Sequence, residues 1–344
     1  MGYTFSNTEK TKKKGSEYET FAALYMLGVY PQKNKMQYIL IDSFNDVSTA
    51  TANISEIYDI QSKGYRNVFQ GKIGGFLYTL YKNYQTDFPF KEFILFLETI
   101  KPEYLENDLK IFDFSNFKTS DAYKIKEGLY KEIEKREKET VTDEIKKNIN
   151  TFLDRVIFVV NQSSKEEAVK KLLPIKVKKT FPDLFYISIF DEIRDKQSSL
   201  KNINIENQTI INAEEVLKFN KYITKKELDT LLINRVIGVE LFQENIPFSF
   251  LKYIDENNRT DEIEDVILNC NKELALMLFN KNNKNNVWKL CFKIVEVVNS
   301  SPNSNYEDVF KLIPEKMYLN SNISKDSTIY LISRIKEGRK NANS

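Results

Sequence analysis

The sequence predicts an α/β domain with a mixed sheet flanked by helices, followed by a mainly helical domain. Three observations carry that prediction. Runs rich in Ile, Val, Tyr and Phe (36–47, 56–63, 93–97 and 156–160) alternate with stretches of helical periodicity in the first half of the chain, the pattern of an α/β layer arrangement. Beyond about residue 210 the β-rich runs stop and helix-period segments remain. At 344 residues, with 41% apolar and 13% aromatic content, the chain is long enough for two hydrophobic cores.

Ser16 is a suitable N-cap, and Glu17 and Glu19 would fall in the first turn of a helix, where carboxylates suit the dipole. That helix runs through Phe21, Leu24, Tyr25 and Leu27 and ends near Gly28. Residues 36–47 and 56–63 read as neighbouring strands, the second ended by Gly64. Phe69, Ile73, Phe76, Leu77 and Leu80 give 67–84 a helical period; Gly71, Gly74 and Gly75 in the same span mark a close backbone contact or weaken the helix. Residues 93–97 form a buried strand, 120–154 a long charged helix with a weak patch at 140–142, and 156–160 another buried strand. Phe185–Phe190 reads as an additional strand. Helices are expected at 213–219, 224–236, 260–280, 286–298, 304–313 and 325–338, with Trp288 in the core. The boundaries that follow are 1–165 for the α/β domain, 166–210 for a mixed connecting region and 211–344 for the helical domain.

Composition excludes several chemistries. There is no histidine, so Ser-His-Asp and Cys-His catalysis and His-containing zinc sites are out. Cys270 and Cys291 are too few for a zinc site and read as reduced core residues of a cytoplasmic protein. No apolar run approaches the roughly 20 residues of a membrane span, and no secretory signal is expected at the N-terminus. Gly71-Lys72-Ile73 lacks the spacing and hydroxyl of a P-loop. Lys and Arg (51) nearly balance Asp and Glu (49), a net charge of +2, so attraction to nucleic acid would have to come from a local patch.

The candidate site lies in 38–64. Residues of equal parity on a strand share a face, so Asp59, Gln61 and Lys63 project together, and Asp42 and Asp46 would do so on the neighbour. Carboxylate, amide oxygen and ammonium together suit magnesium-dependent phosphodiester hydrolysis. The cation lowers the pKa of a bound water and neutralises phosphate oxygens. It takes oxygen ligands at roughly 2.0–2.1 Å and keeps several waters. In this reading Asp46 is the central ligand of Mg2+ or Mn2+ and Gln61 adds its side-chain carbonyl. Lys63 lies beside the attacking water or the scissile phosphate, and Glu19 and Asp59 support the metal. Tyr65, Arg66 and Lys72 follow the site and are candidates for the phosphate backbone. Lys12-Lys13-Lys14 reads as a solvated basic arm. Glu144-Ile145-Lys146 fits the same tripeptide pattern but falls on a charged helix, where it is a solvated face.

Gly15-Ser16-Glu17-Tyr18-Glu19 resembles the Gly-x-x-Phe/Tyr-Glu opening of Mrr-like restriction nucleases. Asn45-Asp46-Val47 followed by Ile60-Gln61-Ser62-Lys63 resembles their Asp…Gln-x-Lys form of the PD-(D/E)xK site, and the 152–160 block resembles the DNA nuclease domain of antiphage effectors in CBASS and Lamassu systems. The resemblance spans about residues 12–165 and implies a restriction-endonuclease-like fold. It further implies sequence-tolerant cleavage of double-stranded DNA, held in check until a sensor or regulatory subunit releases it. No proline precedes Asp46 and Gln stands where the family more often has an acid. Glu17 or Glu19, and Asp42 or Asp46, remain alternative carriers of the matched positions. Cutting both strands calls for self-association. The alternatives are a catalytically degenerate scaffold subunit of a defence complex and an RNA-cleaving enzyme using the same residues.

Overall fold

The computed structural model describes residues 2–5, 13–173, 181–242, 245–280 and 282–342; Lys12 and the side chains of Lys13 and Lys14 lie outside the described part. The chain divides into two units, one of residues 1–172 and 181–225 and one of residues 173–180 and 226–344.

The first unit carries a seven-stranded mixed sheet. Its elements are β1 (Tyr3–Thr4), α1 (Lys13–Gly28), β2 (Met36–Ile41), β3 (Val47–Thr51), β4 (Ile57–Lys63), α2 (Gln70–Phe76), α3 (Tyr78–Tyr84) and β5 (Phe90–Leu97). They continue with β6 (Ile111–Asp113), α4 (Thr119–Glu137), α5 (Asp143–Leu153), β7 (Val156–Val160), α6 (Lys165–Lys170), α7 (Asp183–Lys201), β8 (Thr209–Ile210) and β9 (Tyr222–Thr224). The sheet order is β6-β7-β5-β4-β3-β2-β9, with β4, β5 and β7 parallel and the remaining pairings antiparallel. β1 and β8 form a separate two-stranded ribbon.

The two faces of the sheet are covered by different helices, as an α/β layer requires. On one face α1 lies over β3 and β4, with α6 and α7 packed on α1. Phe96 meets Tyr18 and Tyr25 there, and Phe21 meets Phe190 at 4.6 Å. On the other face α3 lies over β4 and β5, with α4 and α5 beyond it; Phe93 meets Tyr84 and Phe152. Alternation along β5 therefore sends Phe93 and Phe96 to opposite cores.

Several expectations change. The run 36–47 is not one strand but β2 and a turn leading into β3, and β3 lies between β2 and β4. Asp42 adopts a left-handed conformation (φ 46°) where β2 ends. The helix expected over 67–84 divides at Leu77, and the charged helix over 120–154 divides at Lys138, which caps α4 with φ 58°. The helix carrying Ser16 starts at Lys13, so Ser16 lies within its first turn and its carbonyl accepts from Thr20. Phe185–Phe190 is not a strand; it belongs to α7, whose buried residues Tyr186, Ile189, Phe190, Ile193 and Gln197 follow the helical period. The stretch placed in a connecting region, 166–210, packs largely into the first unit, because α7 covers α1. The edge strand β9, from the stretch assigned to the helical domain, pairs with β2.

The second unit is helical: α8 (Lys225–Ile237), α9 (Phe248–Glu256), α10 (Ile263–Phe279), α11 (Lys284–Ser300), α12 (Tyr306–Leu312), α13 (Glu315–Asn320) and α14 (Lys325–Ala342). Trp288 is fully buried on α11. Cys270 and Cys291 are free and buried, and burial pushes their thiols up to about 11 and about 12, away from nucleophilic use. Among the described residues no helix is long and apolar enough to cross a membrane.

Candidate active site

β4 is rich in residues that favour a pleated, buried setting, and it runs between β3 and β5 in the middle of the sheet. Its odd-numbered residues face α3. Asp59 Oδ2 accepts from Asn83 at 2.7 Å, and Gln61 Oε1 accepts from Thr79 at 2.6 Å. Asp46 immediately precedes β3, whose Val47 pairs with Ile60. That register sets its carboxylate against the end of β4. Gln61 Nε2 donates to Asp46 Oδ2 at 2.5 Å, Ser62 N donates to the same oxygen at 3.0 Å, and Lys63 Nζ stands 3.6 Å away. The structure thus brings Asp46, Gln61 and Lys63 into one cluster. Asp42 goes elsewhere, to Lys221 at 3.5 Å.

Asp46 is pushed above the ordinary carboxylate range, by burial first; the Lys63 charge and the Ser62 N–H oppose that push. Among the described residues, the hydrogen bonds and the ion pair to the Asp46 side chain all fall on Oδ2. Its side chain retains 22% exposure, so Oδ1 is the oxygen left for a ligand.

The supporting acids do not stand open to a metal. Asp59 is fully buried, and Ser48 Oγ donates to its Oδ1 at 3.1 Å while Asn83 takes its Oδ2. Burial is the main cause of a rise to about 7, which marks it as a proton-retaining group beneath the site. Glu19, on α1, is ion-paired with Lys201 of α7, and Gln197 of α7 also donates to it, at 3.4 Å. Burial raises Glu19 to about 7 against the opposing pull of Lys201, and the charges of Asp46 and Asp42 add to the rise. Glu19 therefore shares the electrostatic field of Asp46, whereas Glu17 pairs with Lys165 at 3.3 Å. Among the described residues no group of three metal-ligating side chains occurs.

Two elements of the site escaped sequence reading. Thr79 and Asn83 lie four residues apart on α3 and present polar groups to β4; Thr79 Oγ1 also accepts from Asn45 Nδ2 at 3.2 Å. The available signal was their i,i+4 spacing, which sets both on one face of a short helix. Lys201 and Lys221 had no local signal at all.

A cleft of about 820 Å³ opens beside Lys63 and Gln61, between α2 and α4. Its floor is a close helix crossing: a Cβ at Gly128 would stand 2.1 Å from the Gly71 carbonyl, and one at Gly74 would stand 2.0 Å from the Ile125 carbonyl. The glycines of α2 therefore mark a backbone contact. Tyr65 and Lys72 line this cleft, with Lys72 Nζ 4.0 Å from the Tyr65 ring centre. Arg66 is separated from it: it pairs with Glu98 at 2.7 Å and lines a second cleft with Glu17. Glu144 and Lys146 lie on α5, and Lys146 pairs with Asp143 at 3.0 Å.

No protein-family model, no characterised protein and no solved structure matches this chain.

Proposed function

We propose that the chain is a metal-dependent nuclease of the PD-(D/E)xK type, with Asp46, Gln61 and Lys63 as its site. The observation that carries this reading is the meeting of Asp46, at the entry to β3, with Gln61 and Lys63 of the adjacent β4, the last two of which line an open cleft. The residues fit one divalent cation. Among the described residues no hydrogen bond or ion pair reaches Asp46 Oδ1, and an end-for-end turn of the Gln61 amide would exchange its donor for its carbonyl, with the Thr79 hydroxyl able to accept in its place. Mg2+ is commonly held by one or two such groups, with water and substrate phosphate completing its shell. When bound, the ion supplies an acidified water and neutralises phosphate charge.

The protein's own groups would do the rest. Asp46 holds the charged end of the site, its carboxylate fixed by the Ser62 N–H. Lys63 directs its ammonium at a phosphate oxygen and orients the attacking water. Hydrolysis consumes one water: its oxygen forms the new P–O bond, the bridging P–O bond breaks, and the proton ends on the departing alcohol. The sequence resemblance extends the proposal to a cytoplasmic antiphage effector acting on double-stranded DNA, released by a sensor subunit and self-associating to cut both strands. Near-neutral net charge suits such restraint, since nonspecific affinity comes mainly from phosphate neutralisation.

The second reading, a degenerate scaffold subunit, is favoured by one observation: Glu19 is paired with Lys201 and Asp59 is sealed, leaving Asp46 as the one open carboxylate of the predicted set. The deciding experiment is magnesium-dependent plasmid cleavage by the purified chain, alone and with the product of a neighbouring gene, beside Lys63→Ala and Asp46→Asn. The nuclease reading expects a loss of about 100-fold or more in both variants. Equal cleavage by all three proteins, or none by any while function in cells survives Lys63→Ala, overturns it.

A further inference from the structure

The cleft between α2 and α4 has a composition that hydrolysis alone does not call for. Phe69, at the N-cap of α2, is 61% exposed, and Tyr123, on the facing helix α4, is 64% exposed. Both line the cleft. Tyr65, 48% exposed, lines the same cleft: it stacks on Phe76 at 14° and 5.7 Å and carries Lys72 over its ring. Exposed aromatic rings are normal when scattered, but several converging on one concave surface mark a binding site.

The charge of the lining is uneven. Lys63, Lys72, Lys124, Lys131 and Arg136 line it against two carboxylates, Glu127 and Glu132. Glu132 is itself neutralised, by Arg136 at 2.6 Å and by Lys135 at 3.7 Å. The cleft is thus cationic within a nearly neutral chain, and the excess lies along the same walls as the rings.

We propose that this cleft binds unpaired nucleotides, their bases stacked on Phe69 and Tyr123 and their phosphates held by Lys72, Lys124 and Lys131. A cationic groove interleaved with exposed aromatics is the arrangement that holds single strands, because every base has a π-face and stacking needs no particular sequence. In a duplex those faces are hidden within the stack, so a paired substrate would satisfy the lysines and leave the rings without a partner. The rigid Gly71–Gly128 crossing keeps both walls at fixed separation, which preorganises the cleft. The inference rests on the nuclease reading for one point only, the scissile phosphate beside Lys63. It refines the substrate from any DNA to a strand that is unpaired next to the cut: an end, a gap, a bubble or an opened duplex.

The test is fluorescence anisotropy with the full chain in a metal chelator, so that cleavage plays no part. The probes are labelled oligo(dT) and oligo(rU), each about 15 nucleotides long, within the site sizes of single-strand binders, and a blunt duplex of equal length. Both single strands share the stacking and phosphate chemistry, and any preference between them reports the sugar. The expected result is tighter binding of at least one single strand than of the duplex. Phe69→Ala with Tyr123→Ala should weaken single-strand binding about tenfold or more and leave the duplex nearly unchanged. Lys124→Ala with Lys131→Ala should weaken both and reduce the single-strand salt slope by about 1.4. These four side chains are on the surface, and unchanged thermal melting of the variants checks that the fold is intact. Absence of single-strand binding, or binding indifferent to the aromatic pair, overturns the proposal. The nuclease reading stands or falls separately. Aromatic-dependent binding without magnesium-dependent cleavage would keep the cleft and lose the nuclease; cleavage indifferent to Phe69 and Tyr123 would do the reverse.

Discussion

Glu19 on α1 and Lys201 on α7 form an ion pair inside the first unit, with both side chains about nine-tenths removed from solvent. The pair fastens a helix from the start of the chain to one placed far along it, and it closes the acidic side of the site. Its carboxyl is nonetheless raised to about 7, so burial outweighs the attraction of the lysine. Removing one partner of such a pair leaves an uncompensated charge, at about 3–5 kcal/mol. Glu19 has an escape, because it can take up a proton. Lys201→Met should therefore be strongly destabilising at about pH 8, where the carboxylate is ionised, and clearly less so at about pH 6. Urea unfolding at both pH values measures this; an equal loss at both would sink the idea.

Asp59 titrates in the same range for a different reason. Its pKa is raised from 3.8 to about 7, chiefly by burial. An acid whose folded pKa is raised contributes stability that is fully present below its unfolded pKa, near 3.8, and lost as pH rises through about 7. Asp59→Asn removes that titration. Relative to wild type, the variant should gain on the order of 2 kcal/mol between about pH 5 and pH 8. Denaturant melts in chelator across that range test it, and parallel curves would mean that Asp59 is already ionised at low pH.

The amide of Gln61 is the neutral bridge between Asp46 and Thr79. Gln61→Glu would replace the donor facing Asp46 by a carboxylate. In chelator the two like charges should lower stability by about 1–3 kcal/mol at neutral pH. Added magnesium should then raise the melting temperature more in the variant than in wild type, since a ligand bound by the folded state stabilises it by mass action. A magnesium shift no larger than that of wild type would argue against a cation between residues 46 and 61.

The helix crossing under the cleft is intolerant of a side chain. Gly128→Ala would drive a Cβ to 2.1 Å from the Gly71 carbonyl, a backbone atom that cannot turn aside. A loss on the order of 3 kcal/mol is expected from such overpacking. Gly75→Ala is the control, because its Cβ would meet only Glu132 Oε2, at 4.0 Å, among the described residues. That change should be neutral or stabilise by about 0.5–1 kcal/mol through helix propensity. Urea midpoints of the two variants, compared with wild type, decide the matter.

Local patterning made much of the framework legible. Val156–Val160 is the strand expected there, 93–97 lies within β5, and α10, α11, α12 and α14 fall close to the spans their periodicity suggested. The failures also have physical causes. Six apolar residues around Ser188 in 184–190 do not distinguish a strand from a buried helix face, and packing against α1 selects the helix. Residues 36–47 are β-rich throughout, yet the left-handed turn at Asp42 divides them, because Asp tolerates that conformation better than most residues. Short edge strands such as β6 and β9 have too few residues to carry a period and exist through their partners, β7 and β2.

The sequence by itself determined that Asp59, Gln61 and Lys63 share a face, since strand parity is a local property of the backbone. It also determined that histidine chemistry is excluded. Only the tertiary structure decided which groups meet those residues. Asp46 rather than Asp42 faces Lys63, because the β2–β3 turn sends the two acids to different lysines. Asp59 is sealed by Asn83, Glu19 is claimed by Lys201, and Arg66 is turned away to Glu98. Periodicity is written over a few neighbouring residues, whereas burial and ion pairing depend on segments far apart in the chain, whose approach is set by the packing of the whole unit.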